Sequence, residues 1–108
     1  MNEKVLTELV DGILKIIDNK VVSIILYGST ARGTNAEDSD VDVAILMQGN
    51  LDKDTEEKLS DFIVDMNLEY DKVFSVIDID YDLFCKWQKV TPFYQNVTQE
   101  GVVLWKAA

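Results

Sequence analysis

Apolar residues recur along this chain in two rhythms, one helical and one extended. Between residues 3 and 18, Val5, Leu6, Leu9, Val10, Ile13, Leu14, Ile16 and Ile17 follow i, i+3, i+4 and i+7 spacing, the stripe of an amphipathic helix. Asn19-Lys20 ends it. Val21 to Tyr27 is short, β-branched and almost wholly apolar, which predicts a buried strand. Gly28 to Ser39 holds two glycines and many small polar residues and reads as a loop, with room for a helical turn. Val41 to Met47 predicts a second strand, and Gln48-Gly49-Asn50 a turn.

Helical spacing returns over 54–68 through Leu59, Phe62, Ile63 and Met66. Asp54 or Thr55 can cap this helix, and Glu56 and Glu57 in the first turn suit its dipole. Residues 72–79 read as a third strand and 80–89 as a helix carrying Leu83, Phe84 and Trp87. Pro92 fits the first turn of another short helix, running to about Gln99. Residues 101–105 read as an edge strand. The order predicts an α/β (α+β) domain over residues 1–108, a small mixed sheet of three or four strands flanked by helices.

Length and composition narrow the picture. A chain of 108 residues fits one domain and buries roughly 65% of its unfolded surface, enough for one core. With 47% hydrophobic residues it is too apolar for disorder. There is no histidine, which excludes a Ser-His-Asp triad, an HExxH zinc site and imidazole acid–base chemistry. The one cysteine, Cys85, permits no internal disulfide and no CxxC clamp. Without a histidine partner it reads as a half-buried helix thiol rather than a nucleophile. No apolar run approaches the 18 or so residues that span a bilayer. Met1-Asn2-Glu3-Lys4 opens the chain unlike a signal peptide, so the expected location is cytoplasmic, with no membrane partner. The net charge of −10 argues against nucleic acid as a direct partner, because such binding neutralises phosphates with Lys and Arg. It favours a basic partner or a cation.

Two segments carry candidate chemistry. Gly28-Ser29-Thr30-Ala31-Arg32-Gly33 follows the first strand directly, and Ser39-Asp40-Val41-Asp42 opens the second. A glycine at a strand end lets backbone approach an anion, and the amides and hydroxyls beyond it can donate to phosphate oxygens. Taken alone, this loop is equally a tight turn of small residues. Asp40 and Asp42 are the sharper signal. Positions i and i+2 of a strand share a face, and two neighbouring carboxylates need protonation or a cation. Val41, Val43, Ala44, Ile45 and Leu46 make the strand apolar on both faces, so opening it with two aspartates is costly unless they bind something. Hard Mg²⁺ or Mn²⁺ prefers such oxygen ligands and can assist phosphoryl transfer.

Gly-Ser-x-Ala-Arg-Gly followed by Ser-Asp-x-Asp resembles the signature of the polymerase-β-type nucleotidyltransferases. More narrowly, the chain resembles the minimal nucleotidyltransferases of bacteria and archaea in length and element order. The resemblance implies that family's fold and metal-dependent transfer of a nucleoside monophosphate from an NTP, ATP foremost, to an acceptor hydroxyl. By the same resemblance Gly28 and Ser29 would hold the triphosphate and Asp40 and Asp42 the Mg²⁺ or Mn²⁺. Arg32, the one arginine, would contact phosphate or form a structural ion pair, and both readings stay open.

The family also uses a third carboxylate, as acceptor base and metal ligand. Strand 41–47, helix 54–68 and strand 72–79 form a β-α-β unit with parallel strands, so the strand starts share one sheet edge. Asp71 lies at that edge, whereas Asp78 and Asp80 lie seven and nine residues past Asp71, about 23–30 Å away at roughly 3.3 Å per residue. Asp71 is the choice and Glu69 the fallback. Tyr27 reads as core packing rather than base stacking. Phe84, Trp87, Phe93, Tyr94 and Trp105 read first as core, with some left exposed for a partner.

Larger relatives carry an acceptor-binding domain, for which these 108 residues leave no room, and this points to a second chain. The resemblance supplies one: many minimal nucleotidyltransferases are antitoxins of HEPN-domain ribonuclease toxins, and some transfer AMP to a tyrosine of the toxin. A basic toxin facing an acidic antitoxin is electrostatically sensible. The alternative is a non-catalytic antitoxin that masks its partner sterically. A small-molecule nucleotidyltransferase would lack its acceptor domain. Homo-oligomerisation stays open.

Overall fold

The computed structural model describes residues 3–27 and 41–107. Helix α1 (Glu3–Ile17) turns Val5, Leu9, Val10, Ile13 and Ile17 inward, the stripe its spacing predicts. A 3-10 turn (Asp18–Lys20), with Asp18 at φ 68°, redirects the chain into β1 (Val21–Tyr27). Then come β2 (Val41–Met47), α2 (Lys53–Tyr70) and β3 (Phe74–Asp80). Two shorter helices, α3 (Tyr81–Trp87) and α4 (Pro92–Glu100), lead to β4 (Val102–Lys106).

The strands form one mixed sheet in the order β3-β2-β1-β4. β1 runs antiparallel to β2 and β4, and β2 runs parallel to β3. A parallel pair needs a long crossover, which α2 provides. The sheet separates two cores. On one face Leu9 and Ile13 of α1 and Leu59 and Met66 of α2 pack with Ile24, Val43 and Ile45. On the other, Phe84 of α3 and Val97 of α4 pack with Ile25, Ala44 and Leu46. Each fully buried aliphatic side chain adds about 1.5–3 kcal/mol relative to exposure, set against the entropy of ordering it.

Several boundaries differ from the sequence expectation for local reasons. Asp52, not Asp54 or Thr55, caps α2, its carboxylate accepting the Thr55 N–H at 2.7 Å. That bond holds the Asp52 carboxyl below its ordinary pKa. The helix continues past Leu68 to Tyr70, and β3 starts at Phe74 rather than 72. Asp80 caps α3 by accepting the Asp82 N–H at 3.0 Å. The five aromatics do not form one cluster. Phe84 and Tyr94 pack with α3 and α4, whereas Trp105 packs on the opposite face. Trp87 stays 44% exposed. Cys85 is exposed rather than half-buried, since Phe84 takes the inward position beside it.

Two predictions follow from these contacts. Gly101 donates its N–H to the Val97 carbonyl at 3.1 Å, and a Cβ there would sit 2.2 Å from that oxygen and 2.4 Å from Ile25 Cγ2. Gly101→Ala should cost about 1–3 kcal/mol, read as a lower urea midpoint at unchanged slope. The Tyr70 hydroxyl donates to the Glu8 carboxylate, joining α2 to α1, and the phenol pKa is pushed up to about 12. A pKa raised by folding adds stability that is complete below the unfolded value, about 10, and fades as pH rises through the folded one. Tyr70→Phe should therefore flatten the alkaline loss of stability between those values, measured by urea melts across that range.

Candidate active site

β2 is buried at every position except Asp42. Its apolar residues draw it into the sheet, and the one carboxylate of the strand falls at its N-terminal end. Asp42 pairs laterally with Tyr27 of β1 and with Ser75 of β3. Side chains alternate along strands, and Ala44, Leu46, Ile77, Ile79 and Tyr27 all pack into the core under α3 and α4. Asp42 and Ser75, two residues from Ala44 and Ile77, share that face. Tyr27, Asp42 and Ser75 thus form a row across three strands, at about 4.8 Å between neighbouring strands. All three are partly exposed.

Backbone contacts hold the row in place. The Val41 N–H donates to the Val73 carbonyl at 2.8 Å, and the Phe74 N–H donates to Asn67 Oδ1 at 2.8 Å. On the other flank the Tyr27 ring meets Phe93 edge-on, with centroids 5.6 Å apart. Phe93 contacts Tyr94, which contacts Phe84. Tyr27 is therefore a packing residue, as expected. Burial first, and the Asp42 charge second, push its phenol pKa up, so at neutral pH it presents an intact hydroxyl.

Asp42 stands at the sheet edge where the sequence locates it. Gly28, Ser29, Arg32 and Asp40 lie outside the described residues. Asp71 is at the expected edge but not on the strand. It is the exposed C-cap of α2, at φ 50° and ψ 46°, because β3 begins three residues later. Glu69 is exposed on α2. Asp78 and Asp80 pair with Ile45 and Met47, three and five residues along β2 from Asp42. Sequence reasoning missed Ser75. The signal was a polar residue second in an apolar run, Phe74-Ser75-Val76-Ile77, matching Val41-Asp42-Val43-Ala44.

Among the described residues no group of three or more acidic, cysteine or histidine side chains is arranged to hold a metal. The row offers oxygen donors alone, one carboxylate between two hydroxyls. That donor chemistry fits a hard cation such as Mg²⁺ or Mn²⁺ and not a soft one.

Residues 12–108 match the family described as Polymerase beta, Nucleotidyltransferase. The chain belongs to that family. This nucleotidyltransferase is 34% identical over 106 residues to a Methanocaldococcus jannaschii protein named "Putative protein adenylyltransferase", with 95% of this chain and 97% of the relative covered. A second relative with that name from the same organism is 38% identical over 77 residues, covering 65% of this chain and 52% of its own. Among solved structures, a toxin–antitoxin crystal structure with AMP-PNP aligns at a TM-score of 0.64 and 24% identity, covering 99% of this chain and 75% of the other. A structure of the tri-AMPylated Shewanella oneidensis HEPN toxin in complex with MNT antitoxin aligns at 0.61 and 19% identity, covering 99% and 74%. At these identities the structural likeness establishes the nucleotidyltransferase fold.

The nucleotidyltransferase row makes a spectroscopic prediction. Replacing Asp42 by Asn removes the negative charge beside Tyr27 but not the burial. Tyr27 should then ionise at lower pH than in the wild type, yet still above its ordinary value of 10.0. Ultraviolet titration with Tyr27→Phe as the subtraction reference measures this.

Proposed function

We propose that the protein transfers AMP from ATP to a hydroxyl of a HEPN-type toxin, with Mg²⁺ or Mn²⁺, and so acts as that toxin's antitoxin. The observation that carries the chemistry is Asp42, the one incompletely buried position on β2. The full-length relative named for protein adenylyl transfer supports the acceptor class. The toxin–antitoxin fold neighbours support the partner. A net charge of −10 suits a basic partner surface.

In this reading Gly28 and Ser29 hold the triphosphate, Arg32 pairs with a phosphate oxygen, and Asp40 and Asp42 hold the cation. When bound, the cation offsets the triphosphate charge and helps align the α-phosphorus. The acceptor oxygen attacks that phosphorus, the bond to the bridging oxygen breaks, and pyrophosphate leaves with the bonding pair. Asp71, next to the strand start on the α2–β3 turn, takes the acceptor proton. One observation favours the second reading, steric masking without catalysis: Asp42 is flanked on both sides by hydroxyls rather than by another carboxylate.

Incubation with α-labelled ATP, Mg²⁺ and the HEPN partner separates the two. The expected outcome is label on the partner, reduced about 10²–10³-fold or more by Asp42→Asn, with circular dichroism unchanged. Full transfer by that variant would overturn the role of Asp42. Neutralisation of the toxin without label from any NTP would establish masking.

A further inference from the structure

The lateral neighbours of Asp42 bear on how tightly this site holds a cation, an inference that rests on the proposed use of Asp42. We propose that Ser75 sets the divalent-cation affinity of the site: its hydroxyl stands beside Asp42 where another carboxylate would complete the cluster, and it leaves the nucleotide-free protein a weak cation binder.

Four observations carry this. Ser75 and Asp42 are register partners in a parallel pair, and the residues two further along each strand, Ile77 and Ala44, pack into the same core. Both side chains therefore rise from one face on adjoining strands. The pairing is fixed from two sides, by the Phe74 N–H on Asn67 Oδ1 and by the Val41 N–H on the Val73 carbonyl, each at 2.8 Å. The other lateral neighbour is Tyr27, which likewise brings a hydroxyl and not a carboxylate to the row. Asp71 lies on the α2–β3 turn, three residues before β3, and is not a lateral neighbour of Asp42.

Affinity for a hard cation rises with the number of charged oxygen ligands. A serine hydroxyl is neutral and offers a cation little that water does not. An aspartate at the same position would add a full negative charge across one strand spacing from Asp42. With serine there, the row across the three strands carries one negative charge, and a bound nucleoside triphosphate adds to it.

The test is Mn²⁺ titration of the nucleotide-free full chain, with free Mn²⁺ read by electron paramagnetic resonance. Ser75→Asp should tighten binding by about tenfold or more, and Ser75→Ala should stay within about twofold of wild type, because it removes no charge. The gain should vanish when Asp42→Asn is added to Ser75→Asp. An unchanged Mn²⁺ affinity in folded Ser75→Asp, or a gain that survives Asp42→Asn, overturns the proposal. Should Ser75→Asp fail to fold, Ser75→Cys with Cd²⁺ replaces it, both it and its reference carrying Cys85→Ser to remove the exposed thiol: tightening supports the assignment and no change overturns it. A wild type that transfers no label, with a Ser75→Asp variant that gains Mn²⁺ affinity through Asp42, keeps the role of Ser75 and overturns the activity alone.

Discussion

A strand buried on both faces can carry a charge only where it leaves the core, and β2 obeys this. Val41 and Val43 to Met47 are inaccessible, and Asp42 is the one residue of the strand that reaches solvent. Moving that carboxylate two residues inward would put it in the place of Ala44, under α3 and α4, where an unpaired charge costs several kcal/mol after relaxation. β2 thus confines its one carboxylate to the rim where the strand begins. Everything else about the site is fixed by what the neighbouring strands bring to that rim.

Those neighbours have different jobs. β1 brings Tyr27, whose ring continues through Phe93 and Tyr94 to the buried Phe84. One side of the site is therefore mechanically continuous with the core beneath α3 and α4. β3 brings Ser75, held by contacts at the end of α2. Asn67 has two tasks here, its carbonyl closing the helix and its side chain fixing the first residue of β3. The helix end and the strand start are set by one residue.

Much of this was legible in the sequence. The 3.6-residue stripe of α1 and the apolar runs of β1 and β2 identify themselves, because each element has one dominant burial demand. The β-α-β logic located the parallel pair, as the register bears out, and that register sets Asp78 and Asp80 three and five positions beyond the partner of Asp42. Boundaries set by single hydrogen bonds were not legible. Asp54 and Thr55 look like caps in the sequence, but the carboxylate that accepts the Thr55 amide is that of Asp52. The start of β3 depends on an asparagine seven residues upstream, a contact no local pattern announces. That later start leaves Asp71 three residues ahead of the strand and Ser75 beside Asp42 at the rim. Trp105 looked like a companion of Phe84 by composition, but strand alternation sends it to the other face.

The sheet order has a consequence for how the protein is made. β1 lies between β2 and β4, and its pairing with β4 joins Ser23 to Lys106. Closing that pair is a long-range event, entropically slow compared with forming α1 or α2. On the ribosome, the edge of β1 that awaits β4 stays open through most of synthesis. Its Ile24, Ile25 and Leu26 are a β-prone segment of the kind that recruits other chains. The large acidic surplus is spread over the helices that emerge in that interval. Mutual repulsion between nascent chains then gives that surplus a use apart from any chemistry of the folded protein.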